Sequence, residues 1–264
     1  MRPIALVLMA FLGGTSVCAA PVLDGMQDAQ IILLGEVHDN PHHHAMQTEY
    51  VAQIRPRALV FEMLTEEQSS RVTDENRQDT VALERVLGWR DTGWPDFDLY
   101  YPVFAAAPQA QIYGAAVPRE AARQAMKDGI ATWFGPDSDA YGLSDPLPEE
   151  QQTAREAMQM QAHCNALPDV MLPIMVDLQR LRDAVLARAA LKALDQTGGP
   201  VVVITGNGHA RRDWGAPSYV ALLQPMVRQF ALGQTEEDDS PDPSFDAVLS
   251  APSVTREDPC KAFK

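Results

Sequence analysis

The residues best equipped for chemistry lie at three points of the chain. Residues 31–44 read IILLGEVHDNPHHH, so Glu36 and His38 follow an apolar run and His42, His43 and His44 come directly after. Glu62 closes a second apolar run, and His209 follows Gly206-Asn207-Gly208 at the end of a third. G-x-x-H therefore occurs twice, as Gly35–His38 and Gly206–His209, each time behind a run that reads as a buried strand. One G-x-x-H is common; two in the same structural position are informative. Carboxylates and neutral imidazoles together suit zinc, manganese or iron, and imidazole alone suits haem iron. The same carboxylates could act as general bases on a water, with His209 or Arg182 stabilising negative charge. No H-E-x-x-H, G-x-S-x-G, P-loop or G-x-G-x-x-G motif is present.

Four segments must position these groups. Gln30–Leu34, Ala58–Glu62, Gln111–Ala115 and Pro200–Thr205 are short and continuously apolar, the pattern of parallel strands covered on both faces. Helices read between them. Asn40 caps one that opens on Pro41 and runs to about Ile54. Thr65 with Gln68 forms a capping box for another at about 66–77, and a third covers 78–88. From Arg119 to Thr197 no strand is expected, only helices at about 119–134, 149–163 and 169–196, with Pro173 starting or kinking the last. A helix near 217–229 and strands at Phe230–Gly233 and Phe245–Leu249 complete the reading. The fold class is α/β: a mostly parallel sheet flanked by helices, with a helical insertion or lid at about 119–197. Ligands of such sheets lie outside the carboxyl ends of the strands. That rule brings Glu36, His38, Glu62 and His209 together, with Arg119 at the remaining edge. Gly35, Gly206 and Gly208 would let the backbone turn sharply there. Successive helical residues differ by about 100°, so His42 and His43 are expected nearer the apolar face of their helix and His44 nearer solvent.

Composition narrows the setting. The first twenty residues have a basic start, an apolar run at Ile4–Leu12 and small residues before Ala20, the layout of a secretory signal. Cleavage would leave 21–264 as a single domain; lipid anchoring at Cys18 is the less favoured alternative because Val17 is a poor neighbour for it. No later segment reaches the ~20 apolar residues of a membrane span. Losing Arg2 moves the net charge from −15 to −16, a surface that repels nucleic acid and anionic membrane. Cys164 and Cys260 remain, and an even count in an exported chain points to a disulfide between them.

GEVHDNPHHHAMQ, FEM, the Pro118-Arg119 pair, LQRLRD and GNGHARRDWGAP occur in that order. Together they resemble the ChaN-like haem-binding uptake proteins of the Tiki superfamily, from about Ile31 to Tyr219. The resemblance implies a periplasmic haem-binding component of bacterial iron uptake, working with haem-transport components, in which two copies sandwich haem. It carries over to Glu36, His38, His43, Glu62, Arg182, Asp183 and His209. On this reading His38, His43, His209, Arg119, Arg182 and Asp183 hold haem, with Arg211 and Arg212 as further partners for its propionates. Trp89, Trp94, Met171 and Met175 are candidates for its apolar wall. The superfamily also includes metal-dependent proteases and macrolide esterases, so the alternative is a hydrolase. There Glu36, His38, Glu62 and His209 bind zinc, manganese or iron, and Glu36, Glu62 and His209 do the chemistry.

Overall fold

The strands form where the sequence is apolar on both faces. Every residue of Ile31–Glu36 (β1), Ala58–Phe61 (β2) and Val201–Gly206 (β4) is buried. A computed structural model describes residues 23–238, 240, 242–258 and 260–261; the expected signal segment and Cys18 lie outside the described residues. In chain order the elements are β1, α1 (Pro41–Ile54), β2, α2 (Glu66–Ser70), α3 (Thr80–Leu87), α4 (Phe97–Ala106) and β3 (Gln111–Gly114). The helical insertion follows as α5 (Arg119–Asp128), α6 (Ile130–Phe134), α7 (Glu149–Ala162) and α8 (Leu172–Thr197). The chain closes with β4, α9 (Asn207–Ala210), α10 (Ala216–Leu223), β5 (Gln229–Glu236) and β6 (Ala247–Ala251).

The six strands pair in the order β3-β2-β4-β1-β5-β6, all parallel. β4 therefore returns between β2 and β1, with Ile204 level with Phe61 on one side and Leu34 on the other. Alternate residues feed two cores. Ile31, Leu33, Val60, Val201 and Val203 pack with the insertion and α10, chiefly through Leu181, Ala184 and Leu186 of α8. Ile32, Leu34, Leu59, Phe61, Val202 and Ile204 pack with α1, α3 and α4. Three loops that were expected to carry chemistry, after β2, β4 and β1, thus become neighbours at one edge.

Local chemistry explains most helix ends. The Asn40 side chain accepts from the His42 amide and Pro41 takes the first turn, while Arg55 closes α1 at φ 52°. Thr65 and Gln68 form the expected capping box, but α2 stops at Ser70 rather than near 77. There Asn76 and Thr73 bond each other's amides, and Asn76 also donates to the Arg71 carbonyl. Such side-chain bonds offer the backbone an alternative to a helix. The expected helix 119–134 breaks at Gly129, whose φ of 89° no helix accommodates. The helix expected near 217–229 ends at Leu223, and the two late strands extend over Gln229–Glu236 and Ala247–Ala251. Helix α4, which contains Pro102, was not expected at all.

The disulfide joins Cys164, just past α7, to Cys260. Between β6 and this anchor, Arg256 donates to both oxygens of Asp39 and both of Glu236. The tail is thereby fastened to the loop that carries His38.

Candidate functional site

Glu36 ends β1 with its carboxylate wholly buried. It accepts from His38 Nδ1 at 2.7 Å, Tyr100 OH at 2.8 Å and Gln47 Nε2 at 2.7 Å. Three donors satisfy it, so it reaches the outside only through His38. Burial, with the adjacent Glu36 charge and hydrogen bond, drives the Tyr100 hydroxyl pKa well above its ordinary value and keeps it a donor. The His38 side chain is 34% exposed and stands edge-on to Trp94, ring centres 4.9 Å apart. Burial opposes its protonation, but the Glu36 hydrogen bond and the Glu62 and Glu36 charges outweigh burial and raise its pKa above 6.5. Its Nε2 lies against Gly206, where an added Cβ would approach to 2.9 Å.

Glu62 follows β2, and Oε2 accepts from Thr205 Oγ1 at 2.6 Å and the Gly206 amide at 2.9 Å. Oε1 is 3.5 Å from His209 Nε2. His209 sits on α9, the single turn after β4, and its Nδ1 is 2.6 Å from Asp183 Oδ1 on α8. The imidazole is thus held between two carboxylates. Burial works against its charge, yet Glu62 and Asp183 outweigh burial and lift its pKa to about 9. Burial raises Asp183 to about 6, with His209 pulling the other way. Glu62 is held below its ordinary value because His209, His38 and the two hydrogen bonds outweigh its burial. At neutral pH the arrangement is carboxylate, imidazolium, carboxylate.

A cleft of about 900 Å³ opens over these groups, along the carboxyl ends of β2, β3 and β4. Glu62 and His209 are at its floor; Trp94, Val117, Pro118 and Leu186 give it apolar wall, and Arg71, Arg119 and Arg182, with Glu67 and Asp91, give it charge of both signs. The sheet edge therefore assembles Glu62, His209, Arg119 and Arg182 around one space, with Asp183 behind His209 and His38 beside it.

Other expected residues stand elsewhere. His43 is wholly buried: Nδ1 accepts from the Val37 amide and Nε2 donates to the Thr235 carbonyl. Burial lowers its pKa, so it is a neutral structural imidazole. His44, expected towards solvent, is 2% exposed; it bonds the His38 carbonyl and packs on Tyr100. His42, expected towards the apolar face, is exposed. Trp89 is core, its indole donating to the Pro95 carbonyl, and Met175, on α8, is partly buried against the core. Arg211 pairs with Asp213 over Trp214, and Arg212 pairs with Asp246. None of these, nor Met171, borders the cleft. The pairing of Tyr100 and Gln47 with Glu36, and of Thr205 with Glu62, was not read from the sequence. Thr205 was visible as the polar end of VVVIT; Tyr100 was hidden with its helix. Among the described residues no group of three or more His, Cys, Asp or Glu side chains is arranged to hold a metal ion. Nor is any described helix long and apolar enough to cross a membrane.

A family model described as "Haem-binding uptake, Tiki superfamily, ChaN" matches residues 22–220, about three quarters of the chain. The fold is similar to a structure titled "Cofacial heme binding to ChaN of Campylobacter jejuni", at TM-score 0.64 and 18% identity over 84% of this chain and 87% of that one. The type III effector HopBA1 follows at TM-score 0.47 and 14% identity, covering 86% and 90%. An erythromycin esterase variant in its open conformation gives 0.45 and 14%, covering 91% and 80%. No curated protein matches by sequence.

Proposed function

This chain belongs to the ChaN family of haem-binding uptake proteins in the Tiki superfamily, and from that premise we propose that it is an exported, periplasmic protein that binds haem in the cleft at the carboxyl edge of its sheet. The observation that carries the reading is the cleft itself. It is one space of about 900 Å³ that combines an apolar wall with guanidinium groups in a strongly acidic chain. Ligand sites join apolar surface to placed polar groups, and this one is mixed, with charged and apolar residues side by side. Haem needs both, a wall for the macrocycle and cations for the propionates. Trp94, Val117, Pro118 and Leu186 supply the first; Arg119 and Arg182 supply the second.

The test is a haemin titration of the mature protein followed by the Soret band, with Ala116→Trp in parallel. Ala116 borders the cleft and is partly exposed, so an indole there fills the space without entering the core. A saturable, shifted band that the variant weakens supports the reading. A saturable band that the variant leaves untouched moves haem to another surface. Absence of a saturable band overturns the proposal.

The hydrolase reading draws on one specific feature, the Asp183–His209–Glu62 chain, with contacts of 2.6 Å and 3.5 Å. A general base must be unprotonated, and a pKa of about 9 keeps this imidazole charged at neutral pH. With a carboxylate at each ring nitrogen, the charged imidazole is committed to Asp183 and Glu62 and is not free to abstract a proton.

A further inference from the structure

We propose that Arg155 is a positioning residue. Through an enclosed water it holds the second oxygen of Asp183, which closes a buried array running Glu62, His209, Asp183, Arg155 and fastens α7 to the floor of the cleft. The array stands whatever ligand fills the cleft.

Helix α7 packs on α8, and of its fourteen residues only Arg155 is buried. The disulfide fastens the end of this helix; Arg155 is the anchor of its middle. A buried guanidinium left without partners is costly. Its plane lies over the Trp214 ring, 5.1 Å from the centroid, a contact that suits a cation. Its edge has no such account. Nε and Nη1 are buried and have no hydrogen-bond partner among the described residues.

Asp183 shows the complementary deficit. It is wholly buried; Oδ1 takes His209 Nδ1 at 2.6 Å, while Oδ2 has no partner among the described residues. The two residues lie within each other's field. Burial raises Asp183 to about 6, with His209 and then Arg155 pulling the other way. Burial lowers Arg155, with Tyr219 and Asp183 opposing. Arg180 stands three residues before Asp183 on α8, hence on the same helical face. Its Nη1 and Nη2 are taken by Asp177 and by the Gly142 and Asp145 carbonyls, but its buried Nε is open as well. Two guanidinium groups thus offer unused donors beside a carboxylate oxygen that lacks one.

Whatever completes this set must accept from the guanidinium side and donate to Asp183 Oδ2. An anion does only the first and would stand against the carboxylate. A metal ion would stand against the guanidinium groups. Water does both, and a buried water makes about three hydrogen bonds to groups left open in this way. Bridged so, the four side chains alternate in sign from the cleft floor to α7. Each buried charge then has an opposite neighbour, the condition under which such charges persist. Arg155 keeps Asp183 turned towards His209, and the same contact holds a helix that has no other buried side chain.

A high-resolution crystal structure of the mature protein should show a water within hydrogen-bond distance of Asp183 Oδ2 and of Arg155 Nε or Nη1. An empty space there, or a guanidinium bonded directly to Asp183, would overturn the bridge. Arg155→Met keeps an apolar stem and removes the charge. In a cycle with Asp183→Asn, followed by urea denaturation, the two changes should couple by about tenfold in the folding equilibrium constant. Effects that simply multiply would overturn the link. The proton between His209 Nδ1 and Asp183 should give a downfield NMR resonance. It should move in Arg155→Met and stay in place in Met158→Ala, a change at an exposed position of the same helix. A resonance that does not move in Arg155→Met would reduce the arginine to packing and overturn its positioning role, even if Asp183→Asn fails to fold. Deuterium uptake over Glu149–Ala162 should rise in Arg155→Met; unchanged uptake would show that α7 is held by other contacts.

Discussion

Gly206→Ala is the smallest change that reaches the site. Gly206 has φ −64° and ψ 151°, ordinary extended backbone that alanine adopts freely. At such a position the substitution alone stabilises by about 0.4–1 kcal/mol, because the unfolded chain loses freedom. The methyl group, however, would stand 2.9 Å from His38 Nε2 and 3.1 Å from Cε1, well inside contact distance. The backbone has little room to yield, since the Gly206 amide donates to Glu62 and the residue is in register with Glu36 across the ladder. The imidazole must move, and at 34% exposure it has a way out to water. Moving breaks its 2.7 Å bond to Glu36. A hydrogen bond to a charged group contributes about 1.5–3 kcal/mol; discounted for exposure, about 1 kcal/mol is at stake. Gain and loss nearly cancel, so the denaturation free energy should stay within about 1 kcal/mol of wild type. The His38 imidazole should nevertheless report the change. Its pKa, now held above 6.5 against burial by the Glu36 bond and neighbouring carboxylates, should fall in an NMR titration of the ring protons. Haemin affinity should change by no more than about threefold if His38 is not an iron ligand. A His38 pKa that stays at its wild-type value would mean the ring tolerates the methyl group in place, and the steric argument would be wrong.

Three further predictions follow from the charged groups and the tail. His209 should titrate near pH 9, and Glu62→Gln should lower that midpoint by removing one of its two carboxylates. Because the folded value lies above 6.5, the stability gained from the Glu62 pairing is complete below pH 6.5 and drains as pH rises through about 9. Thermal midpoints of wild type and Glu62→Gln should therefore converge at alkaline pH; parallel curves would contradict the pairing. Cys260→Ser removes a link between residues 96 apart and should cost about 2–5 kcal/mol under oxidising conditions. That difference should vanish when both proteins are reduced, and a persistent gap would show that the serine itself does the damage. Arg256→Ala should raise Glu236 from about 2 towards its ordinary 4.5 and destabilise by about 1 kcal/mol, less in high salt. The Glu236 contribution is present above pH 4.5 and lost as pH falls through about 2, so the variant and wild type should converge in acid.

What could be read from the amino-acid order follows a physical division. β1, β2 and β4 are buried on both faces, so their apolar runs are continuous and their ends plain. The rule that parallel sheets bind ligands at their carboxyl edge then selected Glu62, His209 and Arg119 with no further information. Helix α4 escaped because Pro102 lies inside it, yet its Phe97, Tyr100, Val103 and Phe104 are buried between α1 and the sheet; tertiary packing overrode a local breaker. The three adjacent histidines were misassigned for another reason. Their directions depend on how α1 leaves Asn40, and that angle is fixed by bonds from Asn40 to Glu236 and Pro252, about two hundred residues away. Pairing is likewise invisible locally: Asp183 reaches His209 across 26 positions and Tyr100 reaches Glu36 across 64. These long-range pairs change the chemical conclusion, not only its detail. Residue types alone make Glu36, His38 and His209 the obvious ligands. Their hydrogen bonds engage Glu36 and His209 with other protein groups and His38 through Nδ1, while, among the described residues, Arg119 and Arg182 line the cleft without an ion pair. Residue types alone would rank the carboxylates and imidazoles first; their pairing with one another is what moves the weight of the proposed haem site towards Arg119 and Arg182.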